Sequence, residues 1–544
     1  MMVADPLQIK KRFEALKAKR ASYDSHCEEV AALVLPNYQG FVGQRTANEK
    51  RLAKVYDGTG IHANEMLAAG LHGLMSNPAS KWFNIGMATP GFDDNDAVRD
   101  WLSDTADVMR TYMYAPGTNL TTALHECYLQ LGAFGSSVMF IGERDRGGLL
   151  FQARPRHECY IAEDHEETVD TVYRISTMTA RQIMMQWPDT CPAEIRQKVE
   201  SENKPDDSYD IVHAVEPRKL REVGKRDAKN MVWQSCYVCL KTNTLLEESG
   251  YTDFPYAVAR WSKLPAEVDG RSPAMTALPD IKMLQEMTTT TIKAAQRAVD
   301  PPLTIPDDGV VGPVRNIPGG FIYYRGEQRP EPMVMGGNIP LSLELEDAVR
   351  NRIRQMFFAD LLQFPTDTDF TATEFVQRMQ MRMQLLGPVM GRLEGELLAR
   401  IVRRTYAILF RLNALPPMPP EIAQGEYTVE FVSPIALAQK QGEANAVSQT
   451  VQVLLPFIEA TKDATALRVF KLDDMAKKLF EIFGGDPDLV YTRDELQAMD
   501  ERAQQQQAAM MAQPMADAMN KGASAVDKLA SAQEKGANVA QLFG

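Results

Sequence analysis

One stretch, residues 271–415, restricts the fold more than any other part of this 544-residue chain. A helical segment from Thr276 to Val299 runs into a Pro/Gly-rich insert, Asp300 to Pro340, and a second helical segment, Ser342 to Leu362, comes back from it. An acidic loop, Gln363-Phe-Pro-Thr-Asp-Thr-Asp-Phe370, precedes a long helical run from Thr371 to Leu415. Helices that leave and return around a compact insert suit a subunit of a ring better than an enzyme. Each pair would line a shared channel, and the loop would project into it.

The chain is longer than one core usually holds, so three or more structural regions are expected. Lys and Arg number 59 against 72 Asp and Glu, a net charge of −13. That balance argues against binding nucleic acid through one large basic face. It leaves open a channel that DNA slides through, since an acidic wall repels phosphate and discourages sticking. The six cysteines (Cys27, Cys127, Cys159, Cys191, Cys236, Cys239) are scattered, which fits reduced thiols rather than a disulfide framework. The first residues lack the apolar run of a signal peptide, and no run of about 20 apolar residues predicts a membrane span. Synthesis and assembly in cytoplasm is the expectation.

The first half reads as α+β. Apolar spacing predicts an amphipathic helix over residues 6–34, through Leu7, Phe13, Leu16, Val30 and Leu33. Tyr56-Asp-Gly-Thr-Gly60 is a turn opening a small-residue helix, Ile61 to Met75, stopped by Asn77-Pro78. Asp93–Ala115 and Leu120–Ala133 are further helices. The period then shifts to two: strands are expected at Ser137–Gly142, Leu149–Ala153, Glu158–Glu163, Thr168–Ile175, Tyr209–Glu216, Met231–Leu240 and Leu245–Gly250, with a short helix at Thr179–Trp187. One more strand, Tyr427–Val432, precedes a helical C-terminal region. Its last part, from Gln504, is rich in Ala, Gln, Met and Lys and would be weak or disordered alone.

Motifs with chemical potential are few. Cys236-Tyr-Val-Cys239 has the spacing of a redox or zinc pair, but on a strand odd spacing sends the two thiols to opposite faces, which favours core residues. His157, Asp164 and His165, near Glu163, Glu166 and Glu167, could form a metal-dependent hydrolase site. A solvated turn between strands is the simpler reading. No phosphate-cradling loop, His-Glu-x-x-His or Gly-x-Ser-x-Gly is present. Neither a catalytic residue nor a metal or cofactor site is therefore assigned. Thr371-Ala-Thr-Glu374 is a capping box that fixes where the long helix starts, and Gly387-Pro388 predicts a kink. Of the methionines, Met379, Met381, Met383 and Met390 fall on several faces of this helix and suit either a repacking interface or core.

In the first helix of the pair, Lys282, Glu286, Thr289, Lys293, Gln296 and Asp300 form a polar stripe. Ile281, Leu284, Ile292, Ala295 and Val299 form an apolar one. Thr288-Thr-Thr-Thr291 is a poor helix former that needs support from neighbours. Periodicity by itself favours a surface helix with a solvated face over a channel wall.

Three ordered blocks then carry a family resemblance. They are Arg51-Leu-Ala-Lys-Val-Tyr-Asp-Gly-Thr-Gly60 running through Leu67-Ala-Ala-Gly-Leu-His-Gly-Leu-Met-Ser-Asn-Pro-Ala-Ser-Lys-Trp-Phe83; Thr371-Ala-Thr-Glu374 with Leu386-Gly-Pro-Val389, Arg392-Leu393 and Glu396; and Leu415-Pro-Pro-Met-Pro-Pro420. The chain resembles the portal (head-to-tail connector) proteins of short-tailed bacteriophages over most of residues 1–435. The resemblance implies a predominantly helical α+β portal fold forming a dodecameric ring in the virion, at one capsid vertex, through which DNA is packaged and ejected. It implies a wing at 1–270 and 371–433, a stem at 271–300 and 341–362, a clip at 301–340, a tunnel loop at 363–370, and a crown with a possible C-terminal helical barrel at 434–544. Implied partners are further copies of the chain, major capsid protein, scaffolding protein, the large terminase subunit, tail adaptor and nozzle proteins, and double-stranded DNA bound non-specifically, with no membrane. Lys282, Lys293, Arg297, Asp367 and Asp369 are the residues expected to face the channel. Asp307, Asp308, Arg315, Arg325 and Arg329 are the expected clip contacts to terminase or adaptor.

Overall fold

The computed structural model describes residues 4–43, 55–87, 96–144, 147–222, 224–225, 227–304, 331–332, 339–362, 386–420 and 427–431, with single positions 499, 524 and 531. The chain divides into two compact units, Met1–Ala436 and Leu437–Gly544. Every element named below belongs to the first. The expected crown at 434–544, the tunnel loop, the capping box at Thr371 and most of the clip lie outside the described residues.

Helix α1 (Pro6–Val34) starts where the Asp5 carboxylate accepts from the Leu7 amide and Pro6 presets the first turn. Helix α2 (Thr59–Met75) and helix α3 (Asp96–Met113) flank strand β1 (Phe83–Met87) in the chain, and α4 (Leu120–Phe134) follows. Gly135 closes α4 in the left-handed conformation (φ 77°), and the chain turns directly into β2 (Ser136–Glu143). Strand β3 (Leu149–Arg154) pairs with β2 on one side, and β9 (Tyr256–Arg260) pairs with it on the other.

A second, antiparallel sheet has the order β4-β5-β6-β7-β8, from Cys159–Glu163, Val169–Thr179, Ser208–Pro217, Trp233–Cys239 and Thr244–Tyr251. Its alternation is two-sided. Tyr160, Tyr173, Val212, Ala214, Cys236 and Val238 pack under Ile9 and Phe13 of α1. Tyr209, Ile211, Cys239 and Leu246 face α5 (Ala180–Gln186) and α6 (Ala193–Glu200) on the other side. The capping box of Thr179 and Gln182 starts α5.

Two short pairs follow, β10 (Ser262–Lys263) with β11 (Gly270–Arg271), and β12 (Leu303–Thr304) with β13 (Glu331–Pro332). Between them runs α7 (Pro273–Val299), and α8 (Ile339–Met356) returns antiparallel to it. Phe358 sits in the left-handed region (φ 57°) between α8 and α9 (Ala359–Leu362), a costly conformation for a bulky residue, with its ring against Trp261.

The long helix is described from residue 386, and the turn preceding the expected kink at Pro388 lies outside the described residues. The irregularity that is visible lies further on. Glu394–Leu398 makes a π-helical turn before α10 (Ala399–Arg411). β14 (Tyr427–Phe431) pairs antiparallel with β1. The main core gathers α1 to α4, β1 to β3, β9, the buried halves of α7 and α8, and the 386–409 helix around Trp82, Phe83, Tyr128, Phe134 and Phe357.

Candidate functional site: the α7–α8 hairpin

Helix α7 is fixed at its start by Ser272, whose hydroxyl accepts from the Met275 amide at 3.0 Å while donating to Ala133 O at 2.8 Å. Its first half is embedded: Ala274, Met275, Ala277, Leu278, Ile281, Leu284 and Gln285 are buried. Beyond Gln285 no α7 side chain is fully buried, and Met287 alone packs partly against the core. The predicted apolar stripe is thus corrected. Ile281 and Leu284 are interior, but Ile292 is 42% and Val299 88% exposed. Leu343 and Leu345 of α8 are exposed as well. The arm formed by Glu286–Val299 and Ile339–Leu345 therefore leaves its body with hydrocarbon on its edges.

What joins the two helices of the arm is polar. The Thr291 hydroxyl donates to Glu346 Oε1 at 2.6 Å and shares a 2.8 Å hydrogen bond with Ser342 Oγ. Thr288 donates to Glu346 Oε2 at 3.4 Å. This is the support that the four-threonine run needs: two of its hydroxyls solvate a carboxylate that is almost wholly buried. Arg350 completes the set. Its guanidinium donates to Glu346 at 2.9 Å, to Asp347 at 2.7 Å and to Asp57 at 2.9 Å. Asp57 also accepts from the Thr59 amide at 2.8 Å, starting α2, and these donors hold its carboxyl below the usual range against the opposing effect of burial. Gln285 Oε1 accepts from the amides of Tyr56 (2.8 Å) and Asp57 (3.1 Å), and its Nε2 donates to Asp57 O (2.6 Å).

The three basic residues expected to face a channel do share a face. At 100° per residue, Lys293 returns to within about 20° of Lys282, and Arg297 to within about 60°. All three are exposed. Lys282 is not a free cation, because it donates to Glu29 of α1 at 2.6 Å and holds that carboxyl low. Lys293 and Arg297 lie on the arm itself. Asp367, Asp369, Asp307, Asp308, Arg315, Arg325 and Arg329 lie outside the described residues.

The hydrolase alternative fares poorly on geometry. His157 precedes β4 and His165 follows it, so roughly 16 Å of extended chain separates them at about 3.3 Å per residue. The His165 side chain is 88% exposed. Among the described residues no group of three His, Cys, Asp or Glu could hold a metal ion. The nearby cleft of about 550 Å³, lined by Glu167, Arg260, Lys263, Arg392, Glu396 and Arg400 among others, holds carboxylates already engaged. In the lining Glu396 takes Arg260 at 2.7 Å, and Glu163, outside the lining, takes Arg260 at 2.8 Å and Lys263 at 2.7 Å. Lys263 donates to Glu167 and lowers its proton affinity, the opposite of what a general acid requires. The cysteines are buried, and burial raises Cys27 and Cys236 to about 12 and Cys159 to about 11. Cys236 and Cys239 fall into separate clusters on opposite faces of the sheet, as strand spacing predicts.

Sequence reading missed the Asp57–Gln285–Glu346–Arg350 knot. Its one local signal is the turn at Tyr56–Gly60, which by itself marks only a helix start.

Residues 7–490 match the family described as bacteriophage head to tail connecting protein. A "Probable portal protein" of Bordetella phage BPP-1 is 32% identical over 536 residues, covering 96% of this chain and 94% of the relative. A "Portal protein" of Salmonella phage epsilon15 is 27% identical over 536 residues, covering 96% and 95%. The resemblance first carried by three short blocks thus extends over nearly the whole length, and the chain belongs to the bacteriophage head to tail connecting protein family.

Proposed function

We infer that this chain is a phage portal protein: copies assemble into a ring at one capsid vertex, through which double-stranded DNA is packaged and later ejected. The observation that carries the reading is the near full-length likeness to two phage proteins named as portal proteins. It is a structural role without catalysis or cofactor. The dodecamer is the ring size that the family implies. Capsid and scaffolding proteins, the large terminase subunit, and tail adaptor and nozzle proteins are the partners in this reading.

Within it, the wing is residues 1–270 and 371–433, the stem 271–300 and 341–362, the clip 301–340, the tunnel loop 363–370 and the crown 434–544. The α7–α8 hairpin is the stem. Its exposed hydrocarbon edges (Ile292, Val299, Leu343, Leu345) support burial against neighbouring copies. Lys293 and Arg297 repeat around the bore as basic annuli, with Lys282 set against Glu29 at the root. Asp367 and Asp369 add an acidic collar. Alternating signs keep every phosphate contact weak, which a sliding duplex requires. Asp307, Asp308, Arg315, Arg325 and Arg329 are the proposed clip contacts.

Electron microscopy of the purified protein tests the ring directly. Annular particles are expected, and a sample that stays monomeric under all assembly conditions removes the reading. Replacing Lys293 and Arg297, or Asp367 and Asp369, with Ala should leave assembly intact and alter packaging or DNA retention. Failure of assembly would make those groups structural instead.

A further inference from the structure

The connection between β6 and β7 runs against the charge balance of the chain. Residues 219–229 hold five basic side chains (Lys219, Arg221, Lys225, Arg226, Lys229) against two acidic ones (Glu222, Asp227), in a protein whose net charge is −13. Both acids are already used. Glu222 takes Lys225 at 2.5 Å, and Asp227 accepts from Asn230 Nδ2 at 2.5 Å. Lys219, Arg221 and Lys229 are exposed, and among the described residues no carboxylate answers them. Leu220, between the first two, is 72% exposed, and Val232 is exposed at the foot of the loop.

The loop is held in shape before anything docks on it. Asn230 is buried, and its Oδ1 accepts from the Glu222 amide at 3.0 Å. At the foot, Arg218 donates to Glu248 and to Ser249 O, each at 2.8 Å, and both side chains of that ion pair are buried. Gly224 turns the chain at φ 104°, where a side chain would be strained. Gly250 lets β8 come close, since a Cβ there would lie 2.5 Å from Ala228 O. A surface fixed in advance loses little entropy when a partner binds.

Cations alone would suit any polyanion. The exposed leucine narrows the choice. A phosphate backbone offers it no hydrocarbon, whereas a protein segment with carboxylates and apolar side chains covers it while its acids meet the cations. We propose that the β6–β7 loop is a docking surface for an acidic, amphipathic segment of a partner protein. Leu220 is the apolar anchor, and Lys219, Arg221 and Lys229 are the charged rim. The surface belongs to the single chain and stands whether or not copies form a ring.

The probe is a fluorescent synthetic helix with leucine on one face and glutamate on the other. A scrambled peptide of the same composition and a random-sequence DNA duplex are the comparisons. Anisotropy with purified full-length protein at physiological salt should show the helix binding more tightly than either. Lys219→Glu, Arg221→Glu and Lys229→Glu together should weaken it about tenfold or more. Leu220→Ser should weaken it about fivefold. Both variants alter exposed side chains, so the melting temperature and the assembled size should match wild type. Failure of the helix to bind overturns the proposal, as does binding that either variant leaves unchanged. Equal or tighter binding of the scrambled peptide or the duplex also overturns it, because the loop then reads charge alone. Smaller assemblies from the charge-reversed variant at an unchanged melting temperature overturn it too, by assigning the loop to a second copy of the chain.

Discussion

Glu346, 1% exposed, is held across the hairpin by the Thr291 hydroxyl at 2.6 Å. Thr291→Val keeps the shape and removes the donor, leaving a buried carboxylate short of one partner. A loss of about 1–3 kcal/mol is expected in denaturant unfolding, and Thr291→Ser should restore most of it. An unchanged midpoint for Thr291→Val would mean that Thr288 and Arg350 suffice for Glu346.

Arg260 ties β9 to the π-turned helix through Glu396 and to β4 through Glu163. Arg260→Met removes the guanidinium that two carboxylates share, although Glu163 keeps Lys263 at 2.7 Å and Glu396 keeps the backbone amide of residue 260 at 2.9 Å. A loss of about 3 kcal/mol is expected, read as a lowered melting temperature, with Glu396→Gln milder.

His213 is buried between Tyr256 and Ser235 and stacked on Tyr237. Burial, then Arg174 and Arg154, lower its pKa from 6.5 to about 3. The unfolded chain therefore takes up a proton near 6.5 that the folded chain refuses. The contribution of this group to stability is full above 6.5 and falls as pH drops toward 3. The slope is at most about 1.4 kcal/mol per pH unit. Urea unfolding of wild type and His213→Phe across this window should differ by that one proton; parallel curves would refute the assignment.

Gly132 of α4 lies against α2, where an added Cβ would collide with the Asn64 side chain and touch Leu67. Gly132→Ala should cost about 1–3 kcal/mol by equilibrium unfolding. Gly73→Ala is the control, since nothing lies within 4 Å of its Cβ position, and it should be neutral or slightly stabilising.

Elements with one periodic face were legible in the sequence. Residues 6–34 gave the helix that forms, and the strands of the five-stranded sheet fell within a few residues of expectation. β9 escaped because all five of its residues are buried, which erases alternation. β1 escaped because its partner, β14, is hundreds of residues away, so no hairpin signal marks it. Of the small residues on α2, Ala68 is buried but Gly73 faces open space, and a tight approach to α2 comes from Gly132 on α4. The polar stripe on α7 was readable because helical angle is local information. The fate of its apolar stripe was not, because periodicity gives a face without naming what covers it. The knot at the hairpin root was illegible for a related reason: Asp57 and Arg350 are separated by 293 positions in sequence.

The bare hydrocarbon at Ile292, Val299, Leu343 and Leu345 has a consequence for the newly synthesised chain. A solitary copy carries an adhesive tip, so its solubility should drop steeply with concentration unless the tip is quickly occupied. Expression at low temperature, or a polar substitution at Val299, should then raise the soluble yield.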